Sequence, residues 1–256
     1  MRVRQCRRVA VLADIHANLP ALDAVLAEPD VASADAIVLL GDIALGPMPA
    51  PTVDRLADLG DQAVWVHGNC EREIVTAFDG GATPGPNGAS AAASAALIER
   101  AHRDRLAGLP LTVTLEVAGL GPVLLCHASP RRDDEMILVD SPPRRWAEVL
   151  AGVGAPTVCC GHTHMPFDRL AAGHRVVNPG SVGMPYGTAG AAWALLGPDV
   201  TLRQTSYDAD AAAAVIAASG YPDGAAWARE YVTSHYPAQD ALEAFTAIAR
   251  EQAAQT

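Results

Sequence analysis

Apolar residues in this chain come in short runs, and polar residues collect where each run stops. Arg8 to Ala13, Ala34 to Leu40, Ala63 to Val66, Val123 to Cys126 and Ala155 to Cys160 have the length and composition of buried strands. Leu111 to Val117 alternates apolar residues with threonine, as a half-exposed strand should, and Gly119-Leu120-Gly121 turns it into an antiparallel hairpin with the Val123 strand. Short strands are predicted around Phe167–Leu170 and His174–Val177, and a closing hairpin pairs Ala191–Leu196 with Val200–Gln204. Helical spacing covers Leu19–Glu28, with Pro20 in its first turn and Leu22, Val25 and Leu26 as its apolar stripe. Further helices are predicted over Pro51–Leu59, Ala89–Leu106 and Pro142–Leu150. After Tyr207 the pattern is helical only, over Ala209–Ser219, Ala225–Ser234 and Asp240–Gln252. Strands alternating with helices predict an α/β (α+β) domain over residues 1–206. Residues 207–256 form a helical extension that packs on the core or on a partner subunit.

Half of the 256 residues are hydrophobic, enough for a sizeable core. Acidic residues outnumber basic ones by 29 to 18, a net charge of −11. That balance argues against strong nucleic-acid binding, which needs a basic face, and leaves room for a small phosphorylated substrate. The five cysteines form no Cys-x-x-Cys pair and are read as small buried hydrophobes in a reducing compartment. The basic start before an apolar run mimics a signal peptide, but Asp14 and His16 interrupt the run and no cleavage site follows. No run is long enough to span a bilayer. The expected location is the cytoplasm, away from membranes, with a homo-oligomer open.

Five of the strands end in groups that bind metals. Asp14 and His16 follow the first, Asp42 the second, Asn69 the third, His127 the hairpin strand, and His162 and His164 the strand that stops at Gly161. In extended chain, residues two apart point to the same side, so Asp14 with His16 and His162 with His164 are expected to share faces. Open α/β sheets place their sites at such strand ends. Carboxylate, imidazole and amide together suit manganese, iron, zinc or nickel better than calcium or magnesium alone. Seven ligands exceed what one catalytic ion with an open position takes, and fit two ions sharing a bridging carboxylate, roughly 3.5–4 Å apart.

Asp-x-His, Gly-Asp, Gly-Asn and Gly-His-x-His, in this order and each after a strand, resemble the calcineurin-like metallophosphoesterase superfamily over about residues 8–205. Asn178-Pro179-Gly180-Ser181-Val182-Gly183 is similar to its smaller bacterial phosphodiesterase-like members. The resemblance implies a sandwich of two sheets flanked by helices, with two divalent metal ions at one edge, manganese first among them. It implies Asp14, His16 and His164 on one ion, Asn69, His127 and His162 on the other, and Asp42 bridging. Turnover is then expected to depend on Asp42, Asn69 and His127, through in-line attack of a metal-bridging hydroxide on phosphorus without a covalent intermediate. The chain departs from many members in carrying Cys70, followed by Glu71, where they have histidine near the leaving group. Substrates with good leaving groups should therefore be favoured over alkyl monoesters.

Around this set the roles are secondary. Arg131 and Arg132 bind substrate phosphate or belong to a solvated loop balanced by Asp133, Asp134 and Glu135. Asn18 touches substrate or shapes a turn. His67 is read as packing, Cys126, Cys160, Trp65 and Trp193 as core, and His102, His174 and His235 as surface. Specificity is expected in loops 43–50, 79–90 and 129–141. The leading function is hydrolysis of phosphodiesters or nucleotide derivatives. A phosphoprotein phosphatase or dinucleoside-polyphosphate hydrolase comes second, and a non-catalytic scaffold of the same fold third, disfavoured because all seven ligand positions are intact.

Overall fold

Val9 and Val11 face one way from their strand, Ala10 and Leu12 the other, and all four are fully buried. Strands covered on both faces need apolar side chains on both, which is why the sequence runs here are continuous rather than alternating. The computed structural model, which describes residues 4–234 and 236–254, shows what covers them. In chain order the first half contains β1 (Gln5–Cys6), β2 (Val9–Leu12), α1 (Leu19–Leu26), α2 (Pro29–Ala32), β3 (Ala36–Leu40), α3 (Pro49–Ala57), β4 (Ala63–Val66), α4 (Asn69–Phe78), α5 (Gly88–Ala95) and α6 (Arg100–Ala107). The second half contains β5 (Thr112–Val117), β6 (Gly121–Cys126), α7 (Pro143–Val149), β7 (Thr157–Cys159), β8 (Phe167–Ala171), β9 (His174–Asn178), β10 (Ala191–Leu196) and β11 (Val200–Thr205). It closes with α8 (Ala209–Ala217), α9 (Gly224–Ala228), a π-helical turn (Arg229–Thr233) and α10 (Ala238–Ala254).

Two mixed sheets result, ordered β1-β5-β6-β7-β9-β8 and β11-β10-β2-β3-β4. Val9, Val11, Val38 and Leu40 of one meet Leu115, Val123, Leu125 and Val177 of the other across the sandwich. Outside the five-stranded sheet, α1 lays Leu22 and Val25 against Leu12 and Leu39. Outside its partner, Trp146 and Val149 of α7 cover Val158 and Val176. Each such aliphatic side chain, fully buried, contributes about 1.5–3 kcal/mol.

Register sets the functional edge. Strands β2, β3 and β4 are parallel, pairing Leu12 with Leu39 and Leu40 with Val66. In the second sheet β6, β7 and β9 are parallel, pairing Leu125 with Cys159 and Cys159 with Val177. Six strands therefore release their loops from carboxyl ends that lie level.

Some elements differ from the sequence reading. The helix expected over residues 89–106 is two, α5 and α6, because the break lets Ala91, Ala95, Ile98 and Leu106 all reach one cluster with Ile74. The one expected over 225–234 is α9 continued by the π-helical turn. Helices α2 and α4 and strand β1 were not anticipated. The segment after Tyr207 lies on the core: Ile216 and Val232 pack with Met48, and Ala241 and Phe245 with Met136, Met165 and Tyr186. Among the described residues, no helix is long and apolar enough to cross a membrane.

Candidate metal centre

The loops after β2 and β3 are zipped together by backbone hydrogen bonds, Asp14 N–H to Gly41 O at 3.1 Å and His16 N–H to Asp42 O at 2.9 Å. Within them the chain is not extended. Asp14, His16, Asp42, His162 and His164 have φ of 53°, 49°, 51°, 67° and 57°. A side chain rarely tolerates this left-handed region, and it persists only where surroundings over-determine it. The period-two expectation is thus corrected. The strands stop at Leu12 and Cys159, and left-handed turns, not strand pleat, aim the ligands. Asp14 and His16 still meet, but His162 and His164 part company.

Two groups of ligand atoms result. Asp14, His16 and His164 form one, Asp42, His127 and His162 the other, each with its ligand atoms within 4.8 Å of one another. Between them lies Asp42, whose Oδ1 is 3.3 Å from His127 Nε2 while its Oδ2 is 3.9 Å from His16 Nε2. Asp14 Oδ1 stands 3.3 Å from His164 Nε2, and its carboxylate accepts the His162 N–H. Three imidazoles place Nδ1 on a backbone carbonyl: His16 on Leu45 O (3.1 Å), His127 on Leu40 O (2.8 Å) and His164 on Met184 O (2.9 Å). A ring that donates from Nδ1 offers the lone pair of Nε2 inward, the usual preparation of a metal-binding histidine.

The electrostatics call for cations. Burial, then the neighbouring His164, lowers His16 to about 4, and burial with His127 does the same to His162. Both rings are neutral at pH 7 and ready to bind. His127 goes the other way: burial opposes its charge, but Asp42 and Asp14 outweigh it and hold a proton up to about 10, which an incoming cation would displace from Nε2. Asn69 Oδ1 and His127 Nε2 are buried without a hydrogen-bond partner. Buried polar atoms normally have one, and here both belong to the same donor set. The Asn69 amide is turned by its Nδ2, which donates to Glu73 Oε1 at 3.2 Å. Two buried carboxylates, four imidazoles and an amide oxygen fit two divalent ions. Asp14, His16 and His164 would hold one, His127, His162 and Asn69 the other, with Asp42 facing both.

The scaffold beneath the ligands contains residues that the sequence reading passed over. Glu71, fully buried, accepts N–H groups of Asp42 (2.8 Å), Ile43 (2.7 Å), Ala44 (3.2 Å) and Gly68 (2.8 Å), so one carboxylate ties the Asp42 loop to the start of α4. Burial and the Asp42 charge raise it to about 7 against those hydrogen bonds. The available signal was a glutamate three residues after Gly68, the spacing of a helix N-terminus. Asn178 Nδ2 donates to Gly161 O (2.8 Å), and Ser181 Oγ to Asp14 O (2.7 Å), which buckles residues 178–183 to both ligand loops. The motif glycines have a steric reason. A Cβ on Gly41, whose φ is 84°, would lie 2.6 Å from His127 Nδ1, and one on Gly161 would lie 2.7 Å from Asp14 Oδ2.

The three candidate substrate contacts all have partners within the protein. Asn18 is fully buried and caps α1, accepting from Ala21 N–H (3.2 Å) and donating to Gly183 O (3.1 Å). Arg131 is engaged by Glu135 at 2.9 Å and Arg132 by Asp134 at 3.0 Å, within their own loop. His67 lies 3.3 Å from Asp133 Oδ2. His102 and His174 are half-buried rather than free on the surface, bonded to Asp54 (2.9 Å) and Ala155 O (2.8 Å). Trp193, Cys126 and Cys160 are buried core, whereas Trp65 is half-buried under Arg105. His235 lies outside the described residues.

A family model, the calcineurin-like phosphoesterase superfamily domain, matches residues 8–199. The chain belongs to that superfamily. Its fold is shared by a metallophosphoesterase from Sphaerobacter thermophilus, 26% identical, with a TM-score of 0.68 over 88% of this chain and 99% of that one. The hypothetical protein PH1004 from Pyrococcus horikoshii OT3 is 22% identical, with a TM-score of 0.75 over 89% and 99% of the two chains. No curated protein matches the sequence.

Proposed function

We propose that this phosphoesterase is a dinuclear, metal-dependent hydrolase of phosphodiesters, with manganese as its first-choice ion. The observation that carries the reading is Asp42, whose two carboxylate oxygens face different ligand groups. One bridging carboxylate with three further ligands on either side is the arrangement a two-ion phosphoryl site needs. Bound there, the ions would activate water and neutralise phosphoryl oxygens. The protein's own part is to hold the ligands still. Carbonyls of Leu40, Leu45 and Met184 fix three imidazoles, and Glu71 fixes the Asp42 loop. Asn69 would bind as a neutral ligand, which would leave more positive charge for an anionic substrate. The preference for good leaving groups rests on position 70. Cys70 is buried, and burial and then Asp42 hold its thiol well above the ordinary range. It is a poor substitute for an imidazolium acid beside the leaving group, so esters of acidic alcohols should turn over best.

The test pairs a chromogenic phosphodiester with the phosphomonoester of the same leaving group. Protein stripped of metal receives manganese, nickel, zinc or magnesium in turn. Metal-dependent turnover with a diester-to-monoester ratio above one is expected. A ratio below one would make the protein a phosphatase, and absence of metal binding would move it to the scaffold class.

A further inference from the structure

A cavity of about 360 Å³ opens beside His16. One wall comes from the start of α5, around Asn87 and Ser90, and the opposite wall from the C-terminal segment, far away in sequence. That second wall carries Tyr221, Trp227 and Tyr231 together with the carboxylates of Asp223 and Glu230. The rings of Trp227 and Tyr231, both lining the cavity, lie 5.2 Å apart and tilted by 56°. Its backbone is specialised: Asp223 has a φ of 54°, and Glu230 and Tyr231 sit on the π-helical turn, a rare form that is frequent at functional sites. Tyr236 donates its hydroxyl to Glu230 Oε1 at 3.5 Å. Among the described residues, no arginine lines the cavity, and the chain has no lysine.

We propose that this cavity is a subsite for a cationic ester arm: it receives the ammonium group of a phosphodiester whose phosphorus lies at the metal centre. The proposal rests on the phosphodiesterase reading and sharpens it to a substrate class. Aromatic faces attract alkylammonium ions through their ring quadrupoles, best when the cation is desolvated among several rings. Two carboxylates add Coulombic attraction for a cation and repel a second phosphate. A nucleoside polyphosphate would place anionic groups against Asp223 and Glu230, whereas a choline-like arm would place its only charge between them.

The experiment compares two soluble diesters in the manganese-loaded protein: p-nitrophenyl phosphorylcholine, and its neutral isostere with carbon in place of the ammonium nitrogen. The choline ester should have about tenfold higher kcat/KM. Trp227→Leu and Glu230→Gln should each bring that ratio towards one, and the ratio is internal to each protein, so a partly unfolded variant does not confuse it. Equal values for the two esters in the unaltered protein would overturn the subsite while leaving the phosphodiesterase reading intact. Failure to hydrolyse either ester, or bis(p-nitrophenyl) phosphate, would instead remove that reading. Binding then decides the subsite: choline should change tryptophan fluorescence saturably in the unaltered protein and not in Trp227→Leu, and no such difference would overturn it. Phosphatidylcholine vesicles offered in parallel distinguish a lipid headgroup from a soluble diester as the source of the arm.

Discussion

Asp14, His16 and His164 stand on three left-handed residues, and two of them lean on carbonyls of loops, Leu45 and Met184. Across the centre, His127 leans on Leu40, the last residue of a central strand, and Asp42 rests on Glu71, itself held by four backbone N–H groups. The first group borders the cavity through His16 and is covered by Tyr186, stacked on His164 at 5.7 Å and itself braced edge-on by Phe245 of α10. Left-handed turns serve both groups, but one is tied to a strand end and a buried carboxylate, and the other to loops and the C-terminal segment. Ligand identity is similar in both, so the difference lies in support. An ion at the strand-tied group would be held rigidly, and one at the loop-tied group would be coupled to what occupies the cavity.

The largest effect should come from the residue both groups share. Asp42→Asn keeps the size of the side chain but removes its charge. Outer-shell changes alone cost about 10–100-fold in activity or metal affinity, so loss of the bridging carboxylate should exceed a hundredfold. Thermal melting of the metal-free protein should change little. Full activity in an Asp42→Asn protein shown to bind two ions would sink the two-ion reading.

Glu71→Ala comes next and tests the asymmetry directly. It strands four buried N–H groups, and each such loss costs about 1–3 kcal/mol where water cannot reach. Metal affinity should fall about tenfold or more, with a lower Tm. Tyr186→Ala removes one stacked ring, a contact of about 0.5–1.5 kcal/mol. It should weaken one ion only, by about threefold to tenfold, in a calorimetric titration that resolves two binding steps. Equal losses from Glu71→Ala and Tyr186→Ala would show that the two groups are supported alike.

The residues that gather in the two candidate groups could be picked out in the sequence because each follows a strand, and doubly buried strands announce themselves as unbroken apolar runs. The two-sheet fold was implied by the family resemblance those motifs carry. Less was legible where a residue's role depends on partners distant along the chain. Asn18 read as a substrate contact or a turn residue, and the arginine pair as phosphate contacts or a charged loop; Gly183, far along the chain, engages Asn18, and Glu135 and Asp134 of the same loop engage the arginines. Glu71 looked like an ordinary charged residue, because nothing local reveals that the loop after β3 turns its N–H groups towards it. The left-handed turns were invisible for the same reason: aspartate and histidine do not demand positive φ, and the hydrogen bonds from neighbouring loops impose it. The aromatic wall at 221–231 meets His16 only through the packing of a segment that, read alone, is alanine-rich helix.

Cys70→Ala should have the smallest effect, and it separates position from chemistry. Cys70 follows the ligand Asn69 and occupies the place where many relatives keep histidine, so proximity suggests a catalytic thiol. The geometry assigns the useful contact to the backbone: Cys70 N–H donates to Asp42 Oδ1 at 3.0 Å, and alanine keeps that bond. The sulfur itself packs with Ile74 and Leu45, and its polar contact is the Asn69 amide at 3.6 Å. Removing one buried sulfur leaves a small cavity worth about 1 kcal/mol, visible as a modest drop in Tm. Diester turnover should stay within about twofold, since a change under 0.4 kcal/mol in the barrier is all that a lost packing contact at this distance would transmit. A fall comparable to that of Asp42→Asn, at unchanged metal content, would place the thiol in the reaction and return the missing acid to position 70.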